Sequence, residues 1–290
     1  LMDAISRPYG MILVTGPTGS GKTVSLYTCL NILNKDGINI STAEDPAEIN
    51  LPGVNQVNVD DRAGLTFPVA LKAFLRQDPD IIMVGEIRDL ETAEISIKAA
   101  QTGHLVLSTL HTNDASGSVT RLEDMGIEPF LVRSSVIGIL AQRLVRVLCP
   151  DCKEYYQPSA YELSQLGIDP ERSRQRRERN FSPRYLPHGC DYVPVGTEEG
   201  QVPMVYRPKG CPSCMDTGYT GRKGIYELLM IDEFVAPLIL RNADAQSIKQ
   251  VAMERGMDSL RDDGARKVLE GVTSVAEVLA ATQEDVATAE

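Results

Sequence analysis

Short apolar runs that alternate with amphipathic stretches dominate the first half of the chain. Four runs predict strands, and two segments whose apolar residues recur at every third or fourth position predict helices. The strands are Met11–Thr15, Ile38–Ala43, Ile81–Val84 and Leu105–Thr109; the helices are Leu65–Gln77 and Leu90–Gln101, the second capped by Asp89. This alternation is typical of a parallel sheet covered by helices, so it predicts an α/β fold over residues 1–148.

The pattern changes twice further along the chain. Between residues 149 and 224, cysteine pairs bracket a polar stretch, 157–205, that lacks periodicity and is expected to be a loop. From residue 225 onward helical spacing returns. The predicted helices are Phe234–Leu240, Ser247–Glu254, Leu260–Glu270 and Val275–Ala281, with Asp244, Asp258 and Ser274 as starts and Gly256 and Gly271 as ends. We therefore predict three domains: 1–148, 149–224 and 225–290.

A glycine-rich segment follows the first predicted strand and precedes a predicted helix at Val24–Asn34. Its residues are Gly16, Pro17, Thr18, Gly19, Ser20, Gly21, Lys22 and Thr23. This spacing is that of a P-loop, in which glycines let backbone N–H groups approach a polyphosphate at a helix N-terminus. Lys22 is expected to reach the β- and γ-phosphates, and Thr23 to bind Mg²⁺. Since both flanking elements are present, an incidental turn is disfavoured and the segment predicts ATP or GTP binding.

Acidic residues follow two of the other predicted strands. Glu44 opens an acidic segment after the second strand, and Glu86 follows the third strand and Gly85. Ligands of open α/β sheets bind at the carboxyl ends of strands, so both are candidates for managing Mg²⁺ and the attacking water. A turn with helix-capping carboxylates is the alternative for the first segment, and such a turn could itself aim Glu44. Gly85 stands where the second nucleotide-binding motif usually has an acid, which increases the importance of Glu44 and Asp45.

Two of the three histidines of the chain flank the fourth predicted strand. His104 and His111 lie at opposite ends of that strand and, by alternation, on opposite faces, so we do not expect them to bind one metal. A single histidine is more often structural. Their strand is expected to lie beside the strands that carry the candidate catalytic acids. The functional alternative is therefore a γ-phosphate sensor or a subunit-interface contact.

Four of the six cysteines form two Cys-Pro-x-Cys pairs, Cys149 with Cys152 and Cys211 with Cys214. Two such knuckles can present four thiolates to one Zn²⁺, and the long segment between them adds little entropic cost. A redox pair or plain buried thiols are the alternatives, but the repeated sequence favours a structural zinc site. Cys29 is predicted to be a helix core residue, and Cys190 has no evident role.

Composition narrows the function classes. The 290 residues carry a net charge of −11, which disfavours nucleic acid as a partner. A basic run (Arg172, Arg174, Arg176, Arg177 and Arg179) is interpreted as a solvated loop. No run approaches the roughly 20 apolar residues of a membrane span, and no secretion signal opens the chain, so we expect a cytoplasmic protein. The absence of Met at position 1 indicates a fragment or a processed chain.

Together and in this order, these segments resemble the secretion ATPase superfamily, and within it the motors of type II secretion and type IV pilus assembly. The family's motifs correspond to Walker A at Gly16–Thr23, an Asp box near Glu44–Glu48, an atypical Walker B at Ile81–Glu86 and a His box near Gly103–His111. The segments Leu75–Asp89 and Gly218–Leu229 are also characteristic. The resemblance covers nearly the whole chain apart from about residues 157–205.

The resemblance implies a RecA-like P-loop NTPase core with a tetracysteine zinc module and a small C-terminal helical domain. It implies a hexameric ring that hydrolyses ATP with Mg²⁺ at subunit boundaries, and partners in an inner-membrane platform protein and its cytoplasmic adaptor, with peripheral association to that membrane. The roles it implies are phosphate and Mg²⁺ binding by Lys22 and Thr23, polarisation of water by Glu44, the Walker B acid Glu86, and coupling of nucleotide state by His104 and His111.

In this family the charge-neutralising arginines usually come from a domain before the core, whereas the P-loop here begins at residue 16. We therefore expect this chain to bind nucleotide but to hydrolyse it poorly, and the ring need not form. Other functions remain open: a pilus-retraction or DNA-transfer ATPase of the same superfamily, a zinc-containing nucleic-acid-binding switch, and a nucleotide-independent scaffold. The cysteine pairs favour secretion or assembly over retraction, and do not separate these two.

Overall fold

The structure, a computed structural model, describes residues 1–168 and 204–283. The chain divides into two compact units: residues 1–142 with 227–257, and residues 143–226 with 258–290. The basic run at 172–179, Cys190 and most of the predicted loop 157–205 lie outside the described residues.

The described residues of the two units form eleven α-helices and nine strands. The helices are α1 (Met2–Ile5), α2 (Lys22–Leu33), α3 (Phe67–Phe74), α4 (Leu90–Gln101), α5 (Ala115–Asp124), α6 (Pro129–Ser135), α7 (Ala160–Gln165), α8 (Ala236–Leu240), α9 (Ala245–Glu254), α10 (Leu260–Leu269) and α11 (Val275–Ala281). The strands are β1 (Gly10–Thr15), β2 (Ile40–Glu44), β3 (Asn55–Asn58), β4 (Ile81–Val84), β5 (Leu105–Leu110), β6 (Val136–Leu148), β7 (Glu154–Tyr156), β8 (Val205–Arg207) and β9 (Tyr219–Met230).

The main sheet has seven strands in the order β3-β2-β4-β5-β1-β6-β9. The first six pair in parallel, so their carboxyl ends share one edge of the sheet. Every position of β1, β2, β4 and β5 is buried, as parallel strands covered on both faces require. The register places Thr15 opposite Leu110, and Val84 opposite both Ala43 and Ser108. The residues that follow these strands therefore lie close together at the carboxyl end of the sheet.

The four predicted strands are confirmed to within two residues, and α4 coincides with its predicted helix, capped by Asp89, whose side chain accepts from the Thr92 N–H. Asp244 and Ser274 cap α9 and α11 as predicted. The predicted start at Asp258 is wrong by one residue, because Ser259 makes the capping box of α10.

Two regions differ from the sequence-based expectation. The chain is still a strand from 225 to 230, in β9, where helical spacing had been inferred, and α7 lies inside the predicted loop. The compact units also group the chain differently from the three predicted domains, because residues 227–257 belong with the P-loop segment. The three-domain division stays a prediction.

The second unit is held together by backbone and side-chain contacts around its cysteines and helices. β7 pairs antiparallel with β8. The N–H of Leu148 donates to the Val272 carbonyl at 2.9 Å, and the Arg146 guanidinium lies 4.1 Å from the centre of the Tyr219 ring. Across the described residues, none of the helices combines the length and apolarity that crossing a membrane demands.

Candidate nucleotide site and cysteine cluster

The loop after β1 has the backbone geometry that a phosphate cradle requires. Gly16, Gly19 and Gly21 have φ of +145°, +80° and +86°. A Cβ on Gly16 would lie 2.3 Å from the Gln142 carbonyl oxygen, so glycine is needed there for space as well as conformation. Gly21 is the N-cap of α2, and no side chain of the described residues caps that end. Its N–H groups and helix dipole favour an anion at the loop.

Gly16→Ala is expected to destabilise the first unit by about 1–3 kcal/mol, because the new methyl group must displace backbone. Gly19→Ala is the matched control: it has positive φ but nothing within 4 Å of its Cβ position, so it should cost only about 1 kcal/mol. Chemical denaturation of both variants measures the difference. Equal losses would show that the Gln142 contact does not constrain the loop.

Gln142 supports the loop from β6. Its side-chain Nε2 donates to the Ser20 carbonyl at 2.7 Å, and its Oε1 accepts from the Ser25 hydroxyl at 2.6 Å. The Gln142 side chain is buried, so the bond to Ser20 is made away from water and the bond to Ser25 is partly shielded. Sequence analysis missed this residue; the only signal for it is one amide within an otherwise apolar run.

Lys22 lies within the loop. Its ammonium donates to the carbonyl oxygens of Gly16 at 2.7 Å and Pro17 at 3.1 Å. Burial lowers the pKa of Lys22, and the nearby Glu86 carboxylate opposes that shift. The Thr23 hydroxyl, one residue on, donates to Glu48 Oε1 at 3.3 Å, so the loop and the acidic segment after β2 meet here.

Glu86 lies at the same edge, two residues after β4. Its carboxylate is 2.6 Å from the Arg88 guanidinium and 3.4 Å from His111 Nε2. Its Oε2 is buried without a hydrogen-bond partner among the described residues. The glycine before it has a steric reason: a Cβ on Gly85 would lie 3.2 Å from the Ala43 carbonyl. A bulkier acid at position 85 would press on β2.

Glu44 is the last residue of β2 and lies at the same end of the sheet, but its carboxylate is turned into a buried network. It accepts from the Tyr27 hydroxyl, from the Thr42 hydroxyl at 2.5 Å and from Gln56 Nε2 at 3.0 Å. Burial and the bond to Glu44 raise the pKa of Tyr27, whose oxygen also accepts from the Glu48 N–H at 3.0 Å. The network therefore fixes the acidic segment relative to α2.

The two histidines lie at opposite edges of the sheet. His111 follows β5 on the P-loop side, next to Glu86. His104 precedes β5, and its Nδ1 is 3.0 Å from the Ala99 carbonyl at the end of α4. A carbonyl can only accept, so this ring nitrogen donates. The structure thus brings together Lys22, Glu86 and His111 and leaves His104 apart.

The four paired cysteines form one cluster. Their Sγ atoms all lie within 4.8 Å of one another, and three of the separations are 3.7, 3.8 and 3.9 Å. Four thiolates at about 2.3 Å around a tetrahedral Zn²⁺ would be about 3.8 Å apart, so the donor set fits this ion. Cys29, by contrast, lies on α2 and packs in the apolar core, as predicted.

Backbone N–H groups support the cysteine cluster. Cys214 Sγ accepts from the Gly218 N–H at 3.1 Å and from the Cys211 N–H at 3.3 Å. Burial by itself would raise the pKa of Cys214, but these donors lower it to about 6. Burial raises the pKa of Cys152, in the same cluster, to about 12. Backbone N–H groups that donate to a sulfur are typical of the surroundings of a metal ligand. Gly218 has φ of +75°, and a Cβ there would lie 2.4 Å from Pro208, so this turn requires glycine.

The family described as "Type II/IV secretion system protein" matches residues 1–280. The chain belongs to this family. It is 50% identical over 283 residues to the "Type IV pilus assembly ATPase PilB" of Acinetobacter baylyi, which covers 98% of this chain and 44% of that protein. It is also 50% identical over 286 residues to the "Type II secretion system protein E" of Pseudomonas aeruginosa, covering 98% and 51%. The chain thus spans about half the length of these relatives.

Solved structures agree with this assignment. The pilus retraction motor PilT with bound ADP superposes with a TM-score of 0.66 at 26% identity, covering 97% of this chain and 63% of that one. The ATPase DotB of Legionella pneumophila gives a TM-score of 0.63 at 20% identity, with coverage of 98% and 62%, and supports the fold alone. The predicted family resemblance, the α/β fold class and membership in a family of ATPases are confirmed.

Proposed function

We propose that this chain is the nucleotide-hydrolysing part of an ATPase that powers type II protein secretion or type IV pilus assembly. The observation that carries the proposal is the convergence of a P-loop lysine, a buried carboxylate oxygen and a histidine at one sheet edge, with Glu86 3.4 Å from His111. The names of the relatives, which include assembly ATPases and secretion proteins, support the process. They favour neither of the two.

In the proposed mechanism the P-loop residues Gly16–Thr23 bind the phosphates of ATP through backbone N–H groups, and Lys22 binds the terminal ones. Mg²⁺, when bound, neutralises phosphate charge, and the Thr23 hydroxyl is the group that would hold it. Glu86 Oε2 is proposed to accept a proton from, or orient, the attacking water, because this oxygen is buried and lacks a hydrogen-bond partner among the described residues. His111, whose Nε2 lies 3.4 Å from Glu86, is proposed to respond to the terminal phosphate.

The roles proposed for Glu44 and His104 require changes or contacts beyond the arrangement at the P-loop. For Glu44 to polarise water, one of its three donors must be exchanged for that water, and Gln56 makes the longest of those bonds. His104 is proposed to couple nucleotide state to neighbouring elements from the far edge of the sheet, through its contact with the end of α4.

The cysteine cluster is proposed to hold a structural Zn²⁺ through Cys149, Cys152, Cys211 and Cys214. The sulfur separations and the N–H groups donated to Cys214 support this assignment. The remaining predicted features are proposals that rest on the family: a hexameric ring, an inner-membrane platform protein and its adaptor as partners, and a location at the cytoplasmic side of that membrane.

Glu86→Gln tests the proposed chemistry. The amide cannot accept the proton of the water, so hydrolysis in the presence of Mg²⁺ should fall by about 10²- to 10⁴-fold while nucleotide affinity is kept. Phosphate release and a fluorescent-ADP titration measure the two effects. Glu91→Gln is the control, because Glu91 on α4 makes an exposed ion pair with Lys72 on α3. Hydrolysis by E86Q at the wild-type rate would rule out the assignment.

A further inference from the structure

Glu227, on β9, is a fully buried carboxylate that meets the start of α5. It has 0% exposure, and its Oε1 accepts from the Ala115 N–H at 3.0 Å. Ala115 is the first residue of α5, so this N–H has no partner within its own helix. The carboxylate therefore sits on the positive end of the helix, where a negative charge is favourable.

Lys249, on α9, supplies an opposite charge at this point. Its ammonium lies 3.5 Å from Glu227 Oε2 and 3.4 Å from Asp114 Oδ2. Asp114 caps α5 by accepting from the Gly117 N–H at 2.8 Å. One lysine thus joins the helix cap to the buried carboxylate. Because a buried charge is costly unless it is paired, the three groups constrain one another.

This junction lies three residues from His111. The intervening Thr112 is anchored on the other side, because its N–H donates to the Thr15 hydroxyl at 3.0 Å, at the end of β1. The segment 111–114 is therefore fixed at two points, at Thr112 by the strand that leads into the P-loop and at Asp114 by α9. His111 heads that segment, beside Glu86.

We propose that Glu227 and Lys249 are positioning residues, which hold segment 111–114 so that His111 faces Glu86. Neither residue touches the reacting atoms, and both act through the start of α5. The consequence for the rate of hydrolysis rests on the function proposed above; the consequence for the position of His111 does not. Through this junction the placement of α9 in the first unit sets the geometry of the hydrolysis site.

Lys249→Met tests the proposal, since methionine keeps much of the side-chain length and removes the charge. Glu227 is then left buried with a counter-charge removed, so the start of α5 should shift. In long-range ¹H–¹⁵N spectra the imidazole signal of His111 should move or broaden, while that of His104, at the opposite edge, should not. The chain has only three histidines, so His→Gln variants identify the signals.

Hydrolysis supplies a second measurement. A small displacement of a catalytic group is costly, so K249M should lower single-turnover ATP hydrolysis by about tenfold and leave affinity for ADP unchanged. In a His111→Gln background the same substitution should have almost no further effect. Lys72→Met is the control, because it removes an exposed lysine from an ion pair with Glu91.

The double variant Glu227→Gln with Lys249→Met guards against misfolding of K249M. It removes both charges but leaves an amide oxygen to accept from the Ala115 N–H, so the His111 signal should return toward that of the wild type. An unchanged His111 signal in K249M would overturn the proposal, as would an equal loss of rate in the His111→Gln background. Slow hydrolysis is expected of this chain, and a single-turnover assay can measure it. If the wild type shows no hydrolysis even in that assay, the proposed function fails, and the His111 signal still decides the positioning role.

Discussion

Replacement of Lys22 by alanine is expected to abolish measurable ATP binding. The side chain lies inside the P-loop, where its ammonium is aimed at the Gly16 and Pro17 carbonyls and is mostly buried. A bound polyphosphate would offer this charge two or more charge-assisted hydrogen bonds, each worth about 1.5–3 kcal/mol. Loss of two such bonds corresponds to about 10²- to 10⁴-fold in the dissociation constant.

Titration of fluorescent ADP or ATP with Mg²⁺ measures this effect. Lys35→Ala is the matched control, because Lys35 is exposed just beyond the opposite end of α2. A parallel thermal unfolding curve separates lost binding from lost fold. Removal of Lys22 also leaves the two carbonyls without its donors, so a modest loss of stability is expected. Unchanged nucleotide affinity in the Lys22→Ala variant would exclude the role of the loop as a phosphate site.

The sheet that carries the site was predictable because its central strands are buried at every position. Such strands appear in the sequence as continuous apolar runs bounded by polar residues, as at Ile81–Val84. Among the elements that the sequence analysis missed, three have a clear physical reason. α5 is rich in small and hydroxyl residues, so its apolar face is sparse, and β6 and β9 run on into partly exposed positions where the apolar pattern weakens.

The part of the candidate site that depends on local sequence and on strand order was predictable. Glu86 and His111 lie two residues after predicted strands, and Lys22 ends the glycine loop that follows another. Parallel pairing brings such positions to one end of the sheet. The same reasoning placed Glu44 at the edge but could not show its orientation, because its donors Tyr27 and Gln56 come from α2 and β3.

Residues that brace the site from distant parts of the chain are not marked by any local sequence motif. Gln142, more than 100 residues from the loop it braces, is one example, and the Glu227–Lys249 junction is another. Both depend on the packing of elements, α5 and β6 among them, that the sequence pattern did not define. Residues of this kind are visible only once the fold is known.

Cys152→Ser is expected to remove the metal from the second unit and to destabilise that unit strongly. The hydroxyl is a poor zinc ligand, and the remaining thiols, now without a fourth partner, stay packed together in a buried cluster. Structural Zn²⁺ sites in small domains have apparent binding free energies of about 10–16 kcal/mol, so loss of the ion should dominate any packing defect. The wild type should contain one zinc per chain and the variant almost none.

Metal analysis after gel filtration and thermal unfolding with and without a chelator test this prediction. Chelation should lower the unfolding temperature of the wild type toward that of C152S and leave the variant unmoved, because the same ion is removed by both routes. Cys29→Ala is the control: it deletes a buried thiol of α2 from the apolar core, outside the cluster. That variant should lose some stability yet keep its zinc and its sensitivity to the chelator. The wild type can also be unfolded and refolded in zinc-free buffer. If its unfolding temperature is then the same as before, the four sulfurs pack as thiols, without the ion that their spacing fits.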